Sequence, residues 1–200
     1  MKLMKQLAFL TLLAFFTVAC GGGGNQDSNQ NENLEEEIDI SKLNLDNLLK
    51  EIEKREQLLE KEGNGVNNRR GILLMRAYAE FGFRFGNYEQ APEFLYKAGE
   101  MAMAYELPVE AIRYLDQLYN EYKDFEKRPY SLFLKAFIVE NQTRNYEEAE
   151  RLYRKFIEEF PNHDMVDDAE YSIKNMGKTP EELIREFEIR DSIEAANKAV

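Results

Sequence analysis

Apolar positions along the chain recur with the spacing of helices almost from end to end. From Ser41 onward they fall at i, i+3, i+4 and i+7, and no stretch alternates long enough to predict a strand. Ser41 is placed to cap a first, charged helix, "KLNLDNLLKEIEKREQLLEKEG", whose apolar positions are Leu43, Leu45, Leu48, Leu49, Ile52, Leu58 and Leu59. "EGNGVNN" reads as its end. Three later segments carry the same stripe: "LMRAYAEFGFRFGN" (74–87), "AIRYLDQLYNEYKD" (111–124) and "AERLYRKFIEEFPN" (149–162). Leu74, Ala111 and Ala149 align. So do Ala77, Tyr114 and Leu152; Tyr78, Leu115 and Tyr153; Phe81, Leu118 and Phe156; and Phe85, Tyr122 and Phe160. The offsets are 37 and 38 residues.

The helices between them repeat as well. "APEFLYKAGEMAMAYE" (91–106) aligns with "RPYSLFLKAFIVENQT" (128–143), matching Pro92 with Pro129 and Ala98 with Ala136. Proline in the first turn of a helix is tolerated, because its missing N–H would be unpaired there anyway. A weaker copy, 167–188, follows with a shorter first helix, and Thr179-Pro180-Glu181-Glu182 makes a strong helix start. Two helices in each unit of 37–38 residues is the signature of a helical solenoid, in which neighbours stack to bury faces that none can bury alone. "GNYEQA" (86–91) also fits a turn inside a unit, which would shift the pairing by one helix; the offsets favour the first register.

These residues resemble the tetratricopeptide (TPR) pattern. Leu95, Ala98, Gly99, Ala111, Leu115 and Leu118 match it in 92–125, and Tyr146, Ala149, Tyr153 and Pro161 in 130–163. Phe137 and Phe156 stand where the motif has Gly and Ala. Over roughly 70–188 the chain is similar to TPR-containing envelope lipoproteins of the Bacteroidetes type, and in outline to BamD-like and YbgF/CpoB-like proteins. The resemblance implies an all-α fold: a short right-handed solenoid of about three helix pairs with an added N-terminal helix. It also implies first helices that line a groove, with Tyr96, Glu100 and Met103 facing it in one unit and Leu134, Ile138 and Asn141 in the next. Leu134 and Ile138 are apolar where a solvated face would be polar, as at a binding patch.

The N-terminus changes the picture of where such a protein works. Lys2 and Lys5 precede an apolar run, "QLAFLTLLAFFTV", and Ala19 precedes Cys20, the single cysteine. This is the layout of a secretory signal over 1–19, and the run is too short to span a bilayer. "TVAC" resembles the bacterial lipobox, with Thr17 in place of the usual Leu, which implies a lipid on Cys20. Residues 20–40 then form a Gly-, Asn- and acid-rich tether; its 21–37 stretch has a span of roughly 25 Å. The helical domain occupies 41–188 and a tail 189–200. Gly21 lacks the acidic character of an inner-membrane retention signal, so the outer membrane is the expected location, with the lipid as membrane attachment.

Charge narrows the partners. The net charge is −12, and −14 once Lys2 and Lys5 are removed. So acidic a chain repels phosphate backbones, which argues against nucleic acid and for a basic protein or peptide of the envelope. No enzyme constellation is visible. His163, the single histidine, falls in an inter-repeat loop and reads as an exposed residue; "DMVDD" (164–168) lacks the spacing of a calcium loop, and "GNG" (63–65) lacks the Lys of a phosphate loop. The acidic runs, "EKREQLLEKE" among them, read as solvated helix faces. No cofactor, metal or catalytic residue is expected. The expected work is that of a protein–protein scaffold in outer-membrane assembly, envelope coordination or secretion. A small-ligand or glycan-binding lipoprotein is the alternative.

Overall fold

The computed structural model describes residues 38–62 and 68–198. The expected signal segment, Cys20 and the tether up to residue 37 lie outside these, as does most of "EGNGVNN". The compact unit begins at Ile38. Among the described residues there is no strand, and no helix is long and apolar enough to cross a membrane.

Among the described residues eight α-helices follow a short 3-10 turn at Ile40–Lys42: α1 (Leu45–Glu62), α2 (Asn68–Arg84), α3 (Ala91–Ala104), α4 (Pro108–Glu121), α5 (Arg128–Asn141), α6 (Tyr146–Glu159), α7 (Val166–Asn175) and α8 (Pro180–Lys198). From α1 to α7 each helix packs against the next. The first helix starts later than Ser41 would place it. Asp39 takes the amide and hydroxyl of Ser41 and closes the 3-10 turn, and Asn44 then accepts the amide of Asn47 at 3.0 Å as the cap of α1. Asn is as good an N-cap as Ser, so two candidate caps in tandem gave the earlier one to the turn. At the far end Thr179 Oγ1 accepts the Glu182 amide at 3.2 Å while Glu182 accepts the Thr179 amide at 2.8 Å, a reciprocal capping box. The helix it opens does not stop at Glu188 but runs on to Lys198.

The repeat is written in the turns as well as the stripes. Between α2 and α3, Tyr88 donates its amide to Phe85 and Ala91 to Tyr88. Between α4 and α5, Phe125 donates to Tyr122 and Arg128 to Phe125. Between α6 and α7, His163 donates to Phe160 and Val166 to His163. The same two hydrogen bonds recur at the 37- and 38-residue offsets of the sequence. The other turns are of another kind: α3–α4 passes through Glu106 at φ 55°, α5–α6 through Arg144 at φ 55° and α7–α8 through Gly177 at φ 75°. Two turn types thus alternate along the chain from α2 to α8. The alternation is the same in the register through "GNYEQA", so the choice between the two pairings rests on the sequence offsets.

The aligned stripe forms the core. Leu74, Ala111 and Ala149 and the next three aligned sets are all buried, while Phe85, Tyr122 and Phe160 at the helix ends are half-buried. Glycine lets the helices come close where it matters. A Cβ on Gly82 would meet Leu95 at 2.4 Å, and one on Gly99 would meet Leu115 at 2.7 Å. Phe81 sets its ring edge against Phe94 at 4.9 Å, and Phe133 meets both Tyr153 and Phe156 at 5.5 Å. Such edge-to-face pairs add about 0.5–1.5 kcal/mol each beyond their buried area.

One charged stretch is not a solvated face. Glu51 and Arg55 of α1 are each only about a tenth exposed, pair at 2.7 Å, and Arg55 donates to the Leu73 carbonyl of α2 at 2.8 Å. Leaving either charge without its partner would cost about 3–5 kcal/mol, so the pair fixes how α1 sits on α2.

Candidate interaction cleft between the first helices

The six residues expected to line a groove fall into three groups. Tyr96 and Glu100 are brought together one turn apart on α3, close enough for the carboxylate to raise the phenol's pKa. Lys127, at the start of α5, bonds both oxygens of Glu93 at 2.8 and 2.9 Å and lies 4.9 Å over the Tyr96 ring. Tyr96, Met103 and Leu134 are half-buried and pack on the N-terminal core cluster. The Met103 carbonyl accepts Gln142 Nε2 at 2.9 Å, which ties the end of α3 to the end of α5.

Ile138 is a correction. It is 0% exposed and belongs to the same buried cluster as Ala98 and Ala102 of α3. Enclosed with residues of α3 and α4, it cannot touch a partner in the folded chain. Asn141 is exposed, but its amide turns back to the Phe137 carbonyl at 3.0 Å on its own helix. His163 is also not the open loop residue its sequence position gave. Its ring lies edge-on to Tyr130 at 4.6 Å and Phe156 at 5.3 Å, and Nδ1 accepts the Met165 amide. An aromatic site on each side draws it in.

The open surface lies one helix earlier, between α1 and α3. A cleft of about 440 Å³ has Leu59 of α1, Leu74 and Tyr78 of α2 and Met101 of α3 as its apolar walls. Glu56, Glu60, Lys97 and Glu100 complete its lining. An adjoining cleft of about 540 Å³ shares Glu56 and runs along α1 past Phe94, Glu53, Lys50 and Asp46. Together the two linings hold five carboxylates against two ammonium groups. One of these, Lys97, already reaches Glu56 at 3.4 Å and stands 5.2 Å over the Tyr78 ring. Tyr78 donates its hydroxyl to the same Glu56.

Electrostatics single out Glu100. Although Glu100 stands exposed at the rim, partial desolvation by the side chains around it pushes its carboxyl above the usual range, and the Tyr96 hydroxyl and the more distant Lys127 charge offset this only in part. Tyr78 and Tyr96 are pushed up as well, first by burial and then by the neighbouring glutamates, so both phenols stay neutral donors. Sequence reasoning missed this cleft, because Glu56 and Glu60 sit in the run read as a solvated face. Leu59 beside them on a helix with Leu48 and Ile52 fully inside was the available signal.

Among the described residues no group of three or more His, Cys, Asp or Glu side chains is placed to hold a metal ion. No protein-family model matches the chain, and neither the curated proteins nor the solved structures compared with it gave a match.

Proposed function

We propose that this chain is a lipid-anchored, TPR-like scaffold of the bacterial cell envelope that holds a protein or peptide on the face built by its first helices. The observation that carries the reading is the return of the first turn type and of the buried stripe at 37–38 residues, joined to an open, acid-rimmed cleft on that face. Stacked helix pairs generate extended surfaces that bind other chains, and an acidic rim favours basic segments with salt-dependent association. The signal-like segment and "TVAC" support attachment through a lipid on Cys20 and a place at the outer membrane. The work is then outer-membrane assembly, envelope coordination or secretion.

Two measurements test this reading. Cys20→Ser releases the protein from the membrane fraction if Cys20 carries the anchor; a variant that still sediments with membranes removes that part. Cross-linking of the native chain in its own envelope, read by mass spectrometry, yields one dominant partner at a stable ratio. A membrane-bound chain with no partner would overturn the scaffold.

A further inference from the structure

The cleft between α1 and α3 has two kinds of wall, and they ask for two kinds of group. Leu59 and Met101 offer apolar surface over the buried Leu74, and no described residue fills the space between them. Around them stand Glu56, Glu60 and Glu100. Glu56 is satisfied by Lys97 and Tyr78, whereas Glu60 and Glu100 have no cation paired with them among the described residues. Glu100 is the more telling, since its surroundings already disfavour its charge. A cation brought beside it would relieve that penalty, and a hydrogen bond to an ionised group is the stronger kind.

We infer that this cleft takes a peptide segment in which an apolar side chain is flanked by lysine or arginine. The apolar group enters between Leu59, Leu74 and Met101, and the flanking cations meet Glu60 and Glu100. The inference rests on the scaffold reading and adds the site and the chemistry of the occupant. Charge complementarity selects it. A second copy of this chain, at −12, would bring more carboxylates to a carboxylate rim. Lys97 gives the geometry a signature of its own, for it stands in the cleft as a resident cation that an incoming lysine must face.

The test uses the full chain in detergent and fluorescein-labelled ten-residue peptides with a central Lys-Leu-Lys. Matched peptides carry Gln or Glu for both lysines, or Gly for the leucine. Binding is read by fluorescence anisotropy. The Lys-Leu-Lys peptide is expected to bind at least tenfold tighter than its Gln counterpart, and the Glu peptide not at all. Glu100→Gln and Glu60→Gln should each weaken it several-fold, and raised salt should do the same. Lys97→Met should tighten it, a reversal of sign that a loosened fold would not produce. Glu147→Gln on α6, exposed and remote from the cleft lining, should change nothing, and circular dichroism should show every variant folded.

Three results would overturn the inference: no binding of the Lys-Leu-Lys peptide up to about 1 mM, where association is worth only about 4 kcal/mol; equal binding of the Glu peptide; or binding untouched by Glu60→Gln, Glu100→Gln and Lys97→Met. Light scattering that shows a dimer lost in the same variants would also overturn it, in favour of a second copy. Any of these, with a native cross-linked partner still present, removes the cleft assignment and leaves the scaffold standing. The absence of that partner removes the scaffold itself.

Discussion

Ile138→Ala separates a core position from a groove. Ile138 is fully enclosed in the cluster that gathers residues of α1 to α5. The substitution removes three carbon groups, worth about 2.4 kcal/mol at roughly 0.8 kcal/mol each. A cavity is added where the surrounding cluster relaxes only in part, which brings Ile→Ala into the range of about 2–5 kcal/mol. For a domain of this size each kcal/mol shifts Tm by about 2–4 °C, so a loss near the middle of that range lowers Tm by about 10 °C. Such a loss is a large share of a typical stability of about 5–15 kcal/mol. The assay is thermal unfolding of the full chain followed by far-ultraviolet circular dichroism, with Asn141→Ala as the exposed comparison, expected within about 0.5 kcal/mol of the parent. A Tm for Ile138→Ala equal to that of the parent would refute the placement of Ile138 in the core.

Arg144→Gly should stabilise the chain by up to about 1 kcal/mol, read as a higher Tm, because Arg144 holds φ 55° where glycine carries no Cβ penalty. Gly99→Ala gains about 1 kcal/mol of helix propensity but drives its Cβ to 2.7 Å from the wholly buried Leu115; overpacking at about 1–3 kcal/mol wins, and Tm falls. Glu140 is pushed above its ordinary 4.5 by burial, with the Tyr153 hydroxyl at 2.8 Å opposing in part. The folded state therefore disfavours its charged form at neutral pH, and the penalty fades as pH falls through the raised value toward 4.5. Glu140→Gln should raise Tm at pH 7 and lose that advantage at pH 4; a gain that persists unchanged at pH 4 would contradict the sign.

The repeat was legible because it was written twice, in the apolar stripe and in the offsets. Tyr78, Leu115 and Tyr153 align in sequence and are all inside. A 3.6-residue stripe with a fixed period leaves a helix one way to turn. The groove was not legible for the same reason applied too simply. α5 carries Leu132, Phe133, Leu134, Phe137, Ile138 and Val139, apolar nearly all round, and such a helix is covered on more than one side. Ile138 off the main stripe meant a second buried side, turned to the N-terminal cluster. Glu51 and Arg55 were hidden differently, since a charged pair spaced four apart looks the same in sequence whether water or another helix covers it. α8 is the remaining gap: Ile184, Phe187, Ile189 and Ile193 are exposed, and their spacing gathers on no single face.

The central claim is that a partner sits on the first-helix face. Photo-cross-linking from single positions in the native envelope tests it most directly, with a benzophenone side chain placed in turn at Met101, Tyr96 and Val109. Met101 lines the cleft, Tyr96 stands on the same helix, and Val109 is 76% exposed on α4. One discrete adduct from Met101 and Tyr96 and none from Val109 is the expected result. Adducts from Val109 alone, or none from any position, would contradict it.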